Sequence, residues 1–471
     1  MKKFFFIFHL SLFTLLASAQ LIKPYGPTPT PQQSDWHDME FYLFVHFGPN
    51  TFSDLEWGHG TEDPNSFHPT ELDCRQWARI ARDAGAKGII ITAKHHDGFC
   101  LWPSKFSTHT VRESKWREGK GDVLKELSQA CKDYGLKFGI YISPWDRNHP
   151  KYGTPEYNDV YVNTMQEAVK LYGPIFEIWW DGANGEGPNG KKQEYDFKRF
   201  EQVIRTIAPN AIVFSDIGPD TRWVGNEKGI AGETNWNLLD TVGFKRGAGG
   251  PPQDTLNRGN VNGKNWIPAE CDVSIRPGWF YHAKEDDKVK TGQELMSLYL
   301  KSVGRGANFL LNVPPDTRGL INKNDSASLM AFRELREGFS RTNLAYKKKV
   351  TVSAERTGYL SKLLSDGFQS SHWAPPNDQT TCWVEIDLKK AHTFNTIIIA
   401  EYLKLGQRVQ SFVVEVWDGT QYREVTRGTT IGRKRILQFN SQTASKVKLT
   451  ITASKASPVL SSIELYDSPV Y

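Results

Sequence analysis

The sequence predicts an α/β fold, a (β/α)8-like barrel of the TIM type, followed by a C-terminal antiparallel β-sandwich. Three observations lead there. From residue 40 onward, apolar runs of strand length alternate with helical patterns over roughly 300 residues, about the span of such a barrel. Those runs are almost continuously apolar, as parallel strands covered on both faces require. After residue 345 the helical patterns give way to short alternating segments separated by turns.

The strand candidates come in order at 41–47, 88–93, 138–142, 176–180, 212–216, 230–233, 269–273 and 308–313. Helices fit between most of them. One opens at Thr70-Glu71 and stops near Gly85; a second opens at Asp122 and ends before Gly135. Others cover 161–171, 197–207 and 294–303. Glycine-rich stretches at 182–191 and 246–264 make the second half less regular. An open doubly wound sheet is the structural alternative, but no glycine-rich phosphate loop follows the first strand. Beyond the barrel, segments at 382–388, 396–400, 411–417, 435–439 and 446–452 read as sandwich strands, with Asp418-Gly419 as a turn. The chain therefore divides into a barrel at 20–345 and a sandwich at 346–471. A length of 471 residues suits two domains rather than one core.

Lys2 and Lys3 precede an apolar run from Phe4 to Leu16, and Ala17-Ser18-Ala19 offers a cleavage site before Gln20. Residues 1–19 read as a signal peptide, which implies export to the periplasm or the medium. No later segment reaches about 18 uninterrupted apolar residues, so no membrane insertion is expected. The five cysteines show neither metal spacing nor the pattern of a disulfide framework. The formal net charge of +5 is spread along the chain, which gives no nucleic-acid surface. Aromatics make up 12% of residues, with 15 Trp, and suit either large cores or stacking on sugar rings.

In a barrel of this kind, function sits where the strands end. Strand one ends in His46-Phe47-Gly48, followed by Glu56-Trp57. Strand two ends in Lys94-His95-His96-Asp97, and strand three in Ser143-Pro144-Trp145-Asp146. Strand four delivers Trp179-Trp180-Asp181. Strand five ends in Ser215-Asp216, with Arg222, Trp223 and Glu227 in the loop beyond. Five polar endings in series point to a site. His95 and His96 are adjacent, and on an extended strand their side chains diverge, so they make a poor chelating pair. Neither a metal nor a cofactor is expected. Neutral histidines suit sugar hydroxyls instead.

Val45-His46-Phe47-Gly48, Lys94 through Phe99, Trp102-Pro103-Ser104 and Trp179-Trp180-Asp181-Gly182 resemble glycoside hydrolase family 29, the α-L-fucosidases, over most of residues 30–340. The resemblance implies a retaining exo-hydrolase without a catalytic metal, with Asp181 as nucleophile. The stretch Arg222–Gly229 is similar to the subgroup selective for α-1,3/1,4-linked fucose, as are Asn50-Thr51-Phe52 and Glu56-Trp57. That likeness assigns the acid/base to Glu227, with Glu233 and Glu270 as rivals. The commoner family form has Trp after the first histidine, where this chain has Phe47. Substrate contacts are then expected from His46, Glu56, Trp57, His95, His96, Trp179, Arg222, Trp223 and Trp279. The partner is a fucosylated oligosaccharide or glycoconjugate of branched, Lewis type. Asp366-Gly367, His372-Trp373 and Trp383–Leu388 resemble a discoidin-like, galactose-binding-type module, which either binds sugar or buttresses the barrel. Two other readings stay open: a retaining glycosidase acting on another sugar, and a non-catalytic carbohydrate-binding protein.

Overall fold

The computed structural model describes residues 21–471; the predicted signal peptide at 1–19 lies outside them. Eight parallel strands close into a barrel: Phe41–Val45, Gly88–Lys94, Lys137–Ile142, Glu177–Trp179, Ile212–Ser215, Thr221–Trp223, Ala269–Ser274 and Asn308–Asn312. The first strand pairs with both the second and the eighth, which removes any open edge. Outward residues such as Ile89, Ile91, Ile140 and Ile178 pack under the surrounding helices. Inward ones such as Tyr42, Phe44, Tyr141, Trp179 and Phe214 fill the interior.

The helices begin where side chains satisfy their free N–H groups. Asp122 caps Val123–Asp133 through the Lys125 N–H, and Thr291 forms a capping box with Glu294 on Gly292–Ser302. The helix expected from Thr70 instead starts at Cys74. Asp73 takes the N–H groups of Arg75 and Gln76, while the Glu71 N–H is held by the Arg318 carbonyl at 2.8 Å.

The sixth strand is Thr221–Trp223, not residues 230–233. It carries no apolar run, and no helix precedes it; only residues 216–220 separate it from the fifth. Beyond it the chain makes a long excursion before the seventh strand. That excursion holds one short helix, Gln253–Arg258, and a two-stranded ladder of Leu238–Leu239 with Asn265–Trp266.

The N-terminal helix Pro31–His37 closes the bottom of the barrel with Trp36, whose indole N–H donates to Glu177 at 2.9 Å. Glu177 and Glu270 meet inside. Burial holds Glu177 well above the usual carboxylate range and raises Glu270 to about 7.

The C-terminal region is an antiparallel β-sandwich with its own core around Trp373, Phe394, Phe412 and Leu449. Its two long strands, Cys382–Glu401 and Arg435–Ser454, bend at bulges near 387–392 and 394–396. The turn expected at Asp418-Gly419 is present, with the Asp418 carboxylate accepting the N–H groups of Thr420 and Gln421. The sandwich packs on the barrel. Lys434 pairs with Glu40 at 2.5 Å, and Arg435 donates to the Glu233 carbonyl at 2.7 Å. Among the described residues all five cysteines are buried and free, and no helix is long and apolar enough to cross a membrane.

Candidate active site

The strand ends converge on one pocket. His46 follows the first strand and is buried, with Nδ1 2.9 Å from the Asn312 side-chain oxygen. Burial lowers its pKa to about 3, so the ring is neutral at working pH. Its ring lies 5.7 Å from His95 and 5.1 Å from Trp279.

His95 and His96 do not diverge. The second strand stops at Lys94 and a turn begins at once, with the Gly98 N–H on the His95 carbonyl at 3.0 Å. The two rings therefore lie 4.2 Å apart, on the same side. His95 Nδ1 has no protein partner. His96 Nδ1 meets the Ser143 hydroxyl at 2.7 Å and its Nε2 lies 3.6 Å from Asp181. Burial brings the His96 pKa down to about 4, against the pull of Asp181.

Asp181 stands at the mouth above the fourth strand. One oxygen accepts the Tyr141 hydroxyl at 3.0 Å, the other the Ala183 N–H at 2.8 Å. Tyr141 is a site residue that the strand endings do not single out. The signal was available: strand alternation puts Phe138, Ile140 and Ile142 outside, which leaves Tyr141 inside. Its ring stacks on His95 at 5.8 Å with an 18° tilt.

Glu227 is exposed, on the segment after the sixth strand, and accepts the Trp279 indole N–H at 3.3 Å. Trp57 is 57% exposed beside His96 and Trp145, so its ring is free for a ligand.

Four expected contacts sit differently. Arg222 is fully buried. Its guanidinium donates to the carbonyls of Leu256, Ile267 and Trp236 and to the Asn235 side chain, which ties down the excursion and leaves nothing for a sugar. Trp179 points into the barrel, stacked on Phe214 at 3.9 Å with its N–H on Glu270 at 2.8 Å, so it forms part of the floor. Trp223 donates its indole N–H to Asp272 at 2.9 Å. Glu56 anchors the next loop by accepting the N–H groups of Trp279 and Phe280 and by meeting His282 at 2.7 Å. Of the rival acids, Glu233 faces Arg305 at 3.4 Å beside the sandwich. Glu270 is fully buried inside the barrel.

The profile of the "Alpha-L-fucosidase" family matches residues 2–334, and that of the "F5/8 type C domain" matches 349–465. Alpha-L-fucosidase 1 of Arabidopsis thaliana is 42% identical over 98% of this chain and 93% of its own. A solved glycoside hydrolase 29 family member from a rumen bacterium superposes with a TM-score of 0.84 at 40% identity, covering 95% of this chain and 79% of that one. A Ruminococcus gnavus GH29 fucosidase in complex with fucose gives 0.86 at 31% identity, covering 96% and 97%. The chain belongs to the α-L-fucosidases of glycoside hydrolase family 29.

The Tyr141–Asp181 contact yields a test. A hydrogen bond to a charged group contributes about 1.5–3 kcal/mol. Tyr141→Phe removes that donor and keeps the ring. Turnover of an aryl fucoside should fall by roughly 10- to 100-fold, with the fold retained and the thermal midpoint lowered by no more than several degrees. Full activity in this variant would show that Asp181 does not depend on the hydroxyl.

Proposed function

We propose that this α-L-fucosidase is a retaining exo-hydrolase that removes terminal α-1,3/1,4-linked fucose from branched, Lewis-type glycans by double displacement. Asp181 attacks the anomeric carbon. Glu227 gives its proton to the departing glycosidic oxygen, and a fucosyl ester forms. Glu227 then takes a proton from the water that opens the ester.

One observation carries the reading. An unbroken set of contacts runs round a single pocket from one carboxylate to the other: Glu227 to Trp279, Trp279 to His46, His46 to His95, His95 to His96, His96 to Asp181. The three histidines are held neutral by burial; Asn312 and Ser143 take Nδ1 of His46 and His96, which leaves their Nε2 atoms and the unpartnered Nδ1 of His95 for fucose hydroxyls. Trp279 and Trp57 supply ring faces, and Trp179 lies beneath as floor. Glu56 and Trp223 serve through the loops they hold. Two carboxyl groups of opposite role in one pocket favour a hydrolase over a lectin-like barrel.

Asp181→Asn is expected to fold normally and lose nearly all turnover, because an amide cannot form the ester. In the smaller Asp181→Gly, azide fills the vacated space and should release the β-fucosyl azide, of inverted configuration. NMR of the product checks this, and near wild-type turnover by Asp181→Asn would remove Asp181 from its role.

The linkage preference rests on the likeness of 222–229 to the α-1,3/1,4 subgroup. It also fits the exposed rim of Trp57 and Glu227, where a second sugar has room. Binding of the branch sugar there would help place the acid. Specificity constants for a Lewis trisaccharide, its unbranched counterpart and an α-1,2-linked fucoside should fall in that order. Equal values would sink the preference and leave the fucosidase untouched.

We also propose export, from the signal-like residues 1–19. Intact mass of the protein recovered from the periplasm or medium should correspond to a chain starting at Gln20; retention of Met1 would count against it.

A further inference from the structure

Residues 224–229 form an arch. At one foot the Val224 N–H donates to the Glu270 carbonyl at 3.0 Å, and at the other the Gly229 N–H donates to the Asp272 carbonyl at 3.1 Å. Both feet therefore stand on the seventh barrel strand, two residues apart. The corners need glycine. Gly225 has φ +85° and Gly229 φ +70°, and a Cβ would lie 2.9 Å from the Gln253 carbonyl oxygen at the first and 2.8 Å from Val273 Cγ1 at the second. Glu227 stands on the crest.

Beneath the arch lies Asp272, only 4% exposed. Strand alternation sends Glu270, Asp272 and Ser274 into the barrel. Glu270 is taken up by Tyr42 and Trp179, and Ser274 by the Gly278 carbonyl and Asn312. The Asp272 carboxyl instead accepts the indole N–H of Trp223, the residue just before the first foot. Burial, and then the acids Glu227 and Glu270, hold that carboxyl well above the usual range. A neutral carboxylic acid in this place is a hydrogen-bond acceptor rather than a charge.

We propose that Asp272 is the positioning residue for Glu227: by holding Trp223 it clamps the near foot of the arch and sets where the Glu227 carboxyl stands over the sugar pocket. The inference rests on Glu227 being the acid/base. Its physical basis is that displacing a reacting group by about 1 Å costs on the order of 100-fold in rate. A clamp on the acid should matter only where the leaving group needs a proton.

Two substrates read this. A Lewis trisaccharide has a poor leaving group that must be protonated. An aryl fucoside with an acidic nitrophenol does not need one. Asp272→Ala leaves the indole N–H unpaired and should lose roughly 10- to 100-fold in kcat on the trisaccharide, and several-fold less on the aryl fucoside. Asp272→Asn keeps shape and acceptor and should recover most of the lost rate. In a Glu227→Ala background, assayed on the aryl fucoside, Asp272→Ala should add nothing, as expected of two residues acting through one function. Should Asp272→Ala fail to fold, Trp223→Phe removes the same hydrogen bond from the other side and is read on the same pair. Equal losses on both substrates, or an undiminished loss in the Glu227→Ala background, would overturn the clamp alone. A Glu227→Ala enzyme that cleaves the trisaccharide at the wild-type rate would overturn both the acid assignment and the clamp.

Discussion

Inside the barrel two carboxyl groups, Glu177 and Glu270, are buried against each other, and the layers above take their places from that contact. Two anions cannot share such a site, so one proton stays between them. The remaining lone pairs must then be satisfied by donors that reach the interior. Trp36 supplies one from the N-terminal helix, and Tyr42 and Trp179 supply the others from strands one and four. This fixes the rotation of three strands about their own axes. Because side chains alternate with a period of two, fixing one inward residue fixes every second residue above it. Above Tyr42 stand Phe44 and His46. Above Trp179 stands Asp181, and above Glu270 stand Asp272 and Ser274. The mouth of the barrel inherits its register from the hydrogen-bonded layer beneath it.

That dependence explains which parts of the molecule the sequence disclosed. Seven barrel strands were legible, most of them as apolar runs bounded by turns, although Glu270 and Asp272 interrupt the seventh. The sixth was not, since Thr-Arg-Trp has no such run and its Arg222 is satisfied by carbonyls from the distant positions 236, 256 and 267. No local pattern announces partners of that kind. The apolar residues near 230 drew the assignment instead, although they sit just past the arch. The two histidines were misread for a related reason. Reasoning from an ideal strand makes neighbours diverge, whereas the strand ends at Lys94 and a turn brings the rings together.

The site itself was legible unevenly. Asp181, His46, His95 and His96 meet as their positions after strand ends suggested, and Trp279, expected only from the family likeness, joins them. The residues that hold them were much harder to see. Tyr141, which holds Asp181, lies in mid-strand, where a tyrosine reads as core, and Asn312, which holds His46, ends the eighth strand, where nothing marks it as a partner for a ring in strand one. Glu56, Trp179, Trp223 and Arg222 have the right chemistry for sugar, but the fold engages their polar atoms elsewhere. A polar residue near a pocket is available to a ligand only after the backbone around it has been served, and that order of claims is a property of the folded chain.

The sandwich takes part in the same arrangement from the far side. Just beyond the arch, the N–H groups of Asn235 and Asn237 donate to Thr430 and Gln407, and Gln407 donates back to the Asn235 carbonyl at 2.9 Å. From the sandwich Arg435 holds the Glu233 carbonyl, and from the barrel Arg305 holds that of Ala231 at 2.7 Å. The arch therefore has barrel strand under both feet and sandwich against its outgoing chain, while its crest is open to solvent. Rigidity is concentrated where Glu227 joins the fold and withheld where it meets a ligand. In the proposed role of acid and then base, Glu227 would draw on that division: the ends keep its position, and the free crest would let the leaving sugar depart and water arrive.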